Sequence, residues 1–140
     1  MRKSKYFLIA GLVAILQVLT AACNYASDKG PDCTNFYSGT FKIKSETDGS
    51  TVIIHRTRNR QYEIKESGDT LASKITWISP CEYQLLYSSG ETDLPDTLHN
   101  YLATHPVTFK ISKVEKNYYI FTATIEGSSA TLTDTVFKVE

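Results

Sequence analysis

The sequence predicts an all-β protein: about eight antiparallel strands, closed into a small up-and-down barrel or wound into a strongly twisted sheet, with one short helix near residues 95–103. Three observations carry that reading. From Phe36 onward apolar and polar residues alternate, the period at which side chains of a strand reach one face. The runs are rich in β-branched and aromatic residues and are separated by Gly, Asn, Asp and Ser, as strands and tight turns are. Only residues 88–105 lack strand character.

Residues 37–44 open the series, with Tyr37, Gly39, Phe41 and Ile43 on one face and Ser38, Thr40, Lys42 and Lys44 on the other. One side is core and the other wet. Asp48-Gly49 signals a hairpin, and residues 50–56 follow as a second strand around Val52-Ile53-Ile54. Asn59 and its basic neighbours mark the next turn; residues 61–65 alternate weakly as a third strand, closed by Ser67-Gly68-Asp69. Leu71, Ser73, Ile75 and Trp77 share a face of the fourth strand, and Ser79-Pro80 ends it because proline offers no ladder donor. The fifth strand sets Cys81, Tyr83, Leu85 and Tyr87 on one face.

Pro95 suits the first turn of a helix, and Leu94, Leu98, Tyr101 and Leu102 recur at helical spacing, so the helix runs to about Ala103 before Pro106. Val107, Phe109 and Ile111 then mark a sixth strand, Tyr119, Phe121, Ala123 and Ile125 a seventh, and residues 130–139 an eighth. Lys116-Asn117 and Gly127-Ser128 fit tight hairpins. Eight strands joined in order must deal with their edges, and closing the sheet removes them, which favours a lipocalin-like barrel over a two-sheet sandwich.

The chain is 140 residues long and reads as three segments: a signal peptide over 1–22, a lipid-attachment site and tether over 23–32, and a single β domain over 33–140. Arg2, Lys3 and Lys5 precede an apolar run from Tyr6 to Leu19 and then Ala21-Ala22-Cys23. That order is a secretory signal, shorter and differently flanked than a membrane span. Ala21-Ala22-Cys23 after that run resembles a bacterial lipoprotein signal, in which cleavage before the cysteine leaves a lipidated N-terminus that would anchor the protein through Cys23, although Thr20 stands where lipoprotein signals usually carry leucine. An ordinary cut after Ala22 is the alternative. Residues 24–32 are polar and broken by Gly30-Pro31, as a tether is.

Without the three basic signal residues, 12 Lys+Arg face 15 Asp+Glu, a balance that gives no basic face for nucleic acid. Hydrophobic content of 41% and charged content of 21% are those of a folded domain, not of a disordered tail. Three cysteines in an exported chain leave one over. If Cys23 carries a lipid, Cys33 and Cys81 remain to pair in an oxidising compartment, and their 48-residue separation makes the bond worth up to about 4 kcal/mol.

Two clusters resemble small exported proteins of Bacteroidetes, many of them membrane-anchored. The first is Ile54-His55-Arg56 followed by Gln61-Tyr62-Glu63; the second runs from Ile75-Thr76-Trp77 through Ser79-Pro80-Cys81 to Tyr83-Gln84-Leu85. With Cys33, Phe36 and Gly39-Thr40-Phe41 they match that family's Gln-x-Glu strand and Trp-x3-Cys-x-Tyr-x-Leu hairpin. The likeness covers roughly residues 33–87 and implies an all-β cell-envelope protein, without catalytic residues to carry over.

Chemistry is sparse. Gln61 and Glu63 share a strand face, and a buried Glu63 requires a partner, for which Arg56 or Arg58 is the expected choice. Arg56, Gln61, Glu63, Trp77 and Tyr83 therefore form a candidate polar and aromatic cluster, either lining a ligand cavity or packing as core. His55, His99 and His105 lack metal-ligand spacing, and Glu91, Asp93 and Asp96 lack the glycine and terminal glutamate of an EF-hand. No nucleophile elbow, phosphate loop, His-Glu-x-x-His or Cys-x-x-Cys motif occurs. The expectation is a non-enzymatic envelope lipoprotein without cofactor or metal. Its barrel binds a small or apolar ligand, or, with a filled core, acts as a protein-interaction module such as an adaptor or inhibitor.

Overall fold

A computed structural model describes residues 30–46, 48–88 and 94–139. The expected signal peptide, Cys23, most of the tether, Glu91 and Asp93 lie outside the described residues. Eight strands follow one another: β1 (Gly39–Lys44), β2 (Thr51–Arg56), β3 (Arg60–Lys65), β4 (Thr70–Ser79), β5 (Glu82–Tyr87), β6 (Val107–Val114), β7 (Tyr118–Ile125) and β8 (Thr131–Lys138). Each pairs antiparallel with the next and β8 pairs with β1, so the order around the closed barrel is the order in the chain. The up-and-down barrel is realised, neither an open sheet nor a sandwich.

Alternating strand direction divides the connections between two ends. One end collects the start of β1, the β2–β3, β4–β5 and β6–β7 turns, and the exit of β8. A 3-10 turn, Thr34–Phe36, plugs it. Phe36 is fully buried, with its ring 5.0 Å from Tyr119 and 6.2 Å from Phe41. The disulfide Cys33–Cys81, with Cα atoms 5.3 Å apart, ties this plug to the β4–β5 turn. Lys138 Nζ adds a hydrogen bond of 2.6 Å to the Asn35 carbonyl.

The opposite end carries the β1–β2, β3–β4 and β7–β8 loops and the long β5–β6 connection. Gly68 and Gly127 turn two of these loops at φ 93° and 79°, a region that side chains avoid. The connection contains α1 (Asp96–Leu102), for which Pro95 stands just outside as the N-cap rather than in the first turn. Leu102 is buried and Leu94 packs on the core, but Leu98 is exposed, so only part of the helical apolar repeat is used. Tyr101 donates to the Glu126 carbonyl at 2.7 Å, which fastens α1 to the β7–β8 loop.

The inward faces of the strands fill the plugged half of the barrel with Phe41, Ile54, Ile75, Tyr83, Leu85, Tyr119 and Phe121. Closure itself is uneven. The β1–β8 ladder holds two residue pairs, Phe41↔Lys138 and Lys42↔Phe137, against seven between β7 and β8. Toward the unplugged end the wall between β1 and β8 is therefore unlaced.

Candidate functional site

Period-two alternation sends Val52, Ile54 and Arg56 inward from β2 and Gln61, Glu63 and Lys65 inward from β3. Arg56 and Gln61 are opposite each other in the ladder. That register puts a guanidinium and an amide at the same level inside an otherwise apolar barrel.

Arg56 is 4% exposed and nearly saturated. Its Nε donates to Gln61 Oε1 at 2.7 Å, Nη1 to the Phe36 carbonyl at 3.1 Å, and Nη2 to the Tyr83 and Tyr119 hydroxyls at 3.0 Å each. These bonds use four of the five guanidinium N–H groups. The guanidinium carbon also lies 5.0 Å from the Phe41 ring centroid and 4.8 Å from that of Tyr83, within the range of cation–π attraction. Burial works against the charge, but the tyrosine oxygens outweigh it and hold the group above its ordinary value. Arg56 is a permanent buried cation.

The network continues toward the unplugged end. Gln61 passes the polarity on, its Nε2 donating to Glu63 Oε1 at 2.8 Å, and Tyr87 donates its hydroxyl to the same oxygen at 3.0 Å. Burial pushes the Glu63 carboxyl above the usual carboxylate range, and these two hydrogen bonds with the more distant charges of Arg56 and Lys65 only partly offset it. Burial likewise holds the Tyr83 and Tyr87 hydroxyls protonated well past their usual range. Both of these donors meet Glu63 Oε1, and Glu63 Oε2 is not among the buried polar atoms left without a partner, which among the described residues are Trp77 Nε1 and His99 Nε2.

Beside this carboxylate is a cavity of about 190 Å³. Arg56, Gln61, Glu63, Tyr83, Tyr87 and Asp134 supply its polar wall; Ile43, Ile54, Phe109, Phe121, Leu132 and Val136 supply the rest. A second cleft, about 510 Å³, shares Ile43, Leu132 and Asp134 with it. That cleft is lined by inward residues such as Val52 and by outward residues such as Ile120, Thr133 and Thr135. It therefore crosses the barrel wall where β1 and β8 are unlaced.

Four of the five residues expected to cluster do so: Arg56, Gln61, Glu63 and Tyr83. The expected direct pairing of Glu63 with Arg56 or Arg58 does not form. Arg56 reaches Gln61 instead, because that residue lies opposite it in the ladder, and Gln61 relays to Glu63. Arg58 is exposed in the β2–β3 turn, its guanidinium 5.4 Å from the Tyr37 ring. Trp77 does not line the cavity. It lies near the end of β4, where a register shift precedes the turn to Cys81, and its ring packs 4.0 Å from Tyr37 and 4.8 Å from Tyr83. There it is part of the plugged end, with its buried indole N–H unpartnered among the described residues.

Tyr87 and Asp134 belong to the site and were not singled out by sequence. Tyr87 shares the inward face of Tyr83, and Asp134 interrupts the inward apolar series Leu132, Asp134, Val136. A lone carboxylate on a core face was the available signal. Disulfide pairing of Cys33 with Cys81 is as expected. Among the described residues, no group of three or more His, Cys, Asp or Glu side chains is placed to hold a metal ion.

Chemically, the site is a partly open, aromatic-walled space with a buried cation at its base, four of whose five N–H groups are committed. Its free valence consists of carboxylate oxygens. Comparison with protein-family models, with curated proteins and with solved structures finds no match to this chain.

Proposed function

We propose that this chain is an exported cell-envelope lipoprotein, anchored through a lipid on Cys23 to the outer membrane on its periplasmic or surface face. Its β-barrel serves as a non-catalytic binding module for a small ligand. The resemblance to small exported Bacteroidetes proteins and the order of charged, apolar and small residues before Cys23 support the anchor. The observation that carries the binding reading is Glu63: an ionisable carboxylate on the inner face of the barrel, held through one oxygen by Gln61 and Tyr87, lining a cavity and with its protonation shifted by burial. Groups perturbed in this way inside a cleft concentrate at functional sites. Structure alone has an easier solution there, since a leucine would fill the same position without desolvating a charge. The unlaced β1–β8 seam supports the reading further, as a route between solvent and the cavity.

Two features temper the size of the ligand. The plugged half of the barrel is packed, and 190 Å³ is below the range of about 300–1,000 Å³ typical of drug-sized sites. An engineered apolar cavity of about 150 Å³ accepts benzene, so an occupant of roughly that size fits. A second reading, a protein-interaction module, is favoured by apolar side chains left outside on β8 and after it. Phe137 is 38% exposed beside Tyr118, and Val139 is 51% exposed.

Native mass spectrometry of the full-length protein, released gently from its own membranes, tests the binding reading. A bound small molecule is expected on the wild type and absent from Glu63→Leu, which blocks the cavity. Identical ligand-free spectra for both, with a partner protein retained instead, would transfer the assignment to the interaction reading.

A further inference from the structure

The cavity wall states what kind of ligand it complements, an inference that rests on the binding reading above. Its charged groups are Arg56 at the base and the carboxylates of Glu63 and Asp134 nearer the unplugged end. Arg56 has four N–H groups engaged by Gln61, Phe36, Tyr83 and Tyr119, so it has little left to offer an anion. Tyr87 has its hydroxyl proton committed to Glu63. What the wall offers is acceptor capacity: the Glu63 carboxylate, whose Oε1 takes the bonds from Gln61 and Tyr87, and the Asp134 carboxylate, whose Oδ1 accepts the adjacent Thr135 N–H. The rest of the wall includes the rings of Tyr83, Tyr87, Phe109 and Phe121. Carboxylates set among aromatic faces attract organic cations through both charge and ring quadrupole.

From this placement we infer that the ligand class of the barrel cavity is a small organic ammonium. Its nitrogen lies toward Glu63 and Asp134 and its carbon body against the aromatic wall. A carboxylate or phosphate ligand would meet two acids and an arginine with four of its five N–H groups already engaged. A neutral ligand lacking N–H or O–H would leave the acceptors without a donor, a loss that buried sites discriminate strongly, and an alcohol supplies one proton but no charge to set against two carboxylates.

Proton linkage follows from the same geometry. Gln61 and Tyr87 bond Glu63, the charges of Arg56 and Lys65 act on it, and Tyr83 from β5 and Asp134 from β8 share its cavity wall. Among them the permanent cation is screened by its own bonds, and Lys65 lies on the rim side of β3. A cation entering beside Glu63 favours its ionised form, so binding expels a proton whenever Glu63 begins protonated. Affinity for an ammonium should therefore rise with pH from the ordinary carboxylate value of 4.5 upward.

Three probes of one size separate the cases: benzylamine, benzyl alcohol and benzoate, titrated into the full-length protein by calorimetry at pH 7. Benzylamine is expected to bind at least tenfold more tightly than benzyl alcohol, with no measurable benzoate binding. Glu63→Gln and Asp134→Asn should each reduce that preference severalfold while leaving the unfolding midpoint near that of the wild type. Equal or tighter binding of the alcohol or of benzoate overturns the ammonium assignment and leaves a small-ligand site in place. Failure of all three to bind, in a folded protein, overturns the binding reading together with the assignment built on it.

Discussion

Replacing Glu63 by Gln and by Ala separates its charge from its hydrogen bonds. In the wild type, Oε1 accepts from Gln61 Nε2 at 2.8 Å and from the Tyr87 hydroxyl at 3.0 Å. Gln retains an oxygen in that position and can accept both. Ala leaves two donors facing a hole. Each unmet buried donor costs roughly 1–3 kcal/mol, so Glu63→Ala should lose about 3 kcal/mol, since water entering the cavity recovers part of the sum. Glu63→Gln weakens two charge-assisted bonds by about 1 kcal/mol each and relieves a desolvated charge of comparable size, leaving it within about 1 kcal/mol of wild type near neutral pH.

The pH dependence has a definite sign. Burial raises the folded Glu63 carboxyl above its ordinary value of 4.5. Its stabilising contribution is therefore fully present below the unfolded pKa and is lost as pH rises through the folded one. Wild-type stability relative to Glu63→Gln should fall as pH rises from the ordinary carboxylate value of 4.5. Urea denaturation followed by the fluorescence of Trp77, the single tryptophan, measures it with the disulfide intact. A Gln variant weaker by more than about 3 kcal/mol at pH 8, or a difference that grows with pH, would refute the relay geometry and restore a direct ion pair.

Arg56→Met should destabilise by about 3–5 kcal/mol, because it strips Gln61, Phe36 and two tyrosines of their shared donor; exposed Arg58→Ala should change stability by less than about 0.5 kcal/mol, and the two midpoints in urea decide it. Cys33→Ala, Cys81→Ala and the double variant should lose the same amount, about 2–4 kcal/mol, since each opens the same 48-residue loop; additive losses would mean that each thiol matters by itself. Cys23→Ala should abolish incorporation of labelled fatty acid and move the protein out of the membrane fraction, and equal labelling of both forms would remove the proposed anchor.

The strands were legible because the barrel has a wet outside and an apolar inside, so period two runs through the sequence almost unbroken. Phe41, Ile54, Tyr83 and Phe121 point inward as their alternation requires. The site was half legible for the same reason. Alternation gave the shared face of Gln61 and Glu63, but which cation met them depended on cross-strand register, and register placed Gln61 opposite Arg56. Trp77 has the right alternation and the wrong height, because distance along the barrel axis is set by a register shift that the sequence does not advertise. The cavity is a matter of volumes summed over seven strands, and the seam follows from where β1 and β8 part. Neither is written in any one segment.

Carboxyl-carbon NMR titration of Glu63 in the full-length protein bears most directly on the claim that the barrel interior holds an acidic, ligand-ready cavity. Glu63 is expected to titrate above 4.5, the ordinary carboxylate value, and to move downward when benzylamine is added. A midpoint at or below 4.5, unmoved by the amine, would contradict it: Glu63 would then be a solvated or ion-paired residue, and the barrel interior a core rather than a site.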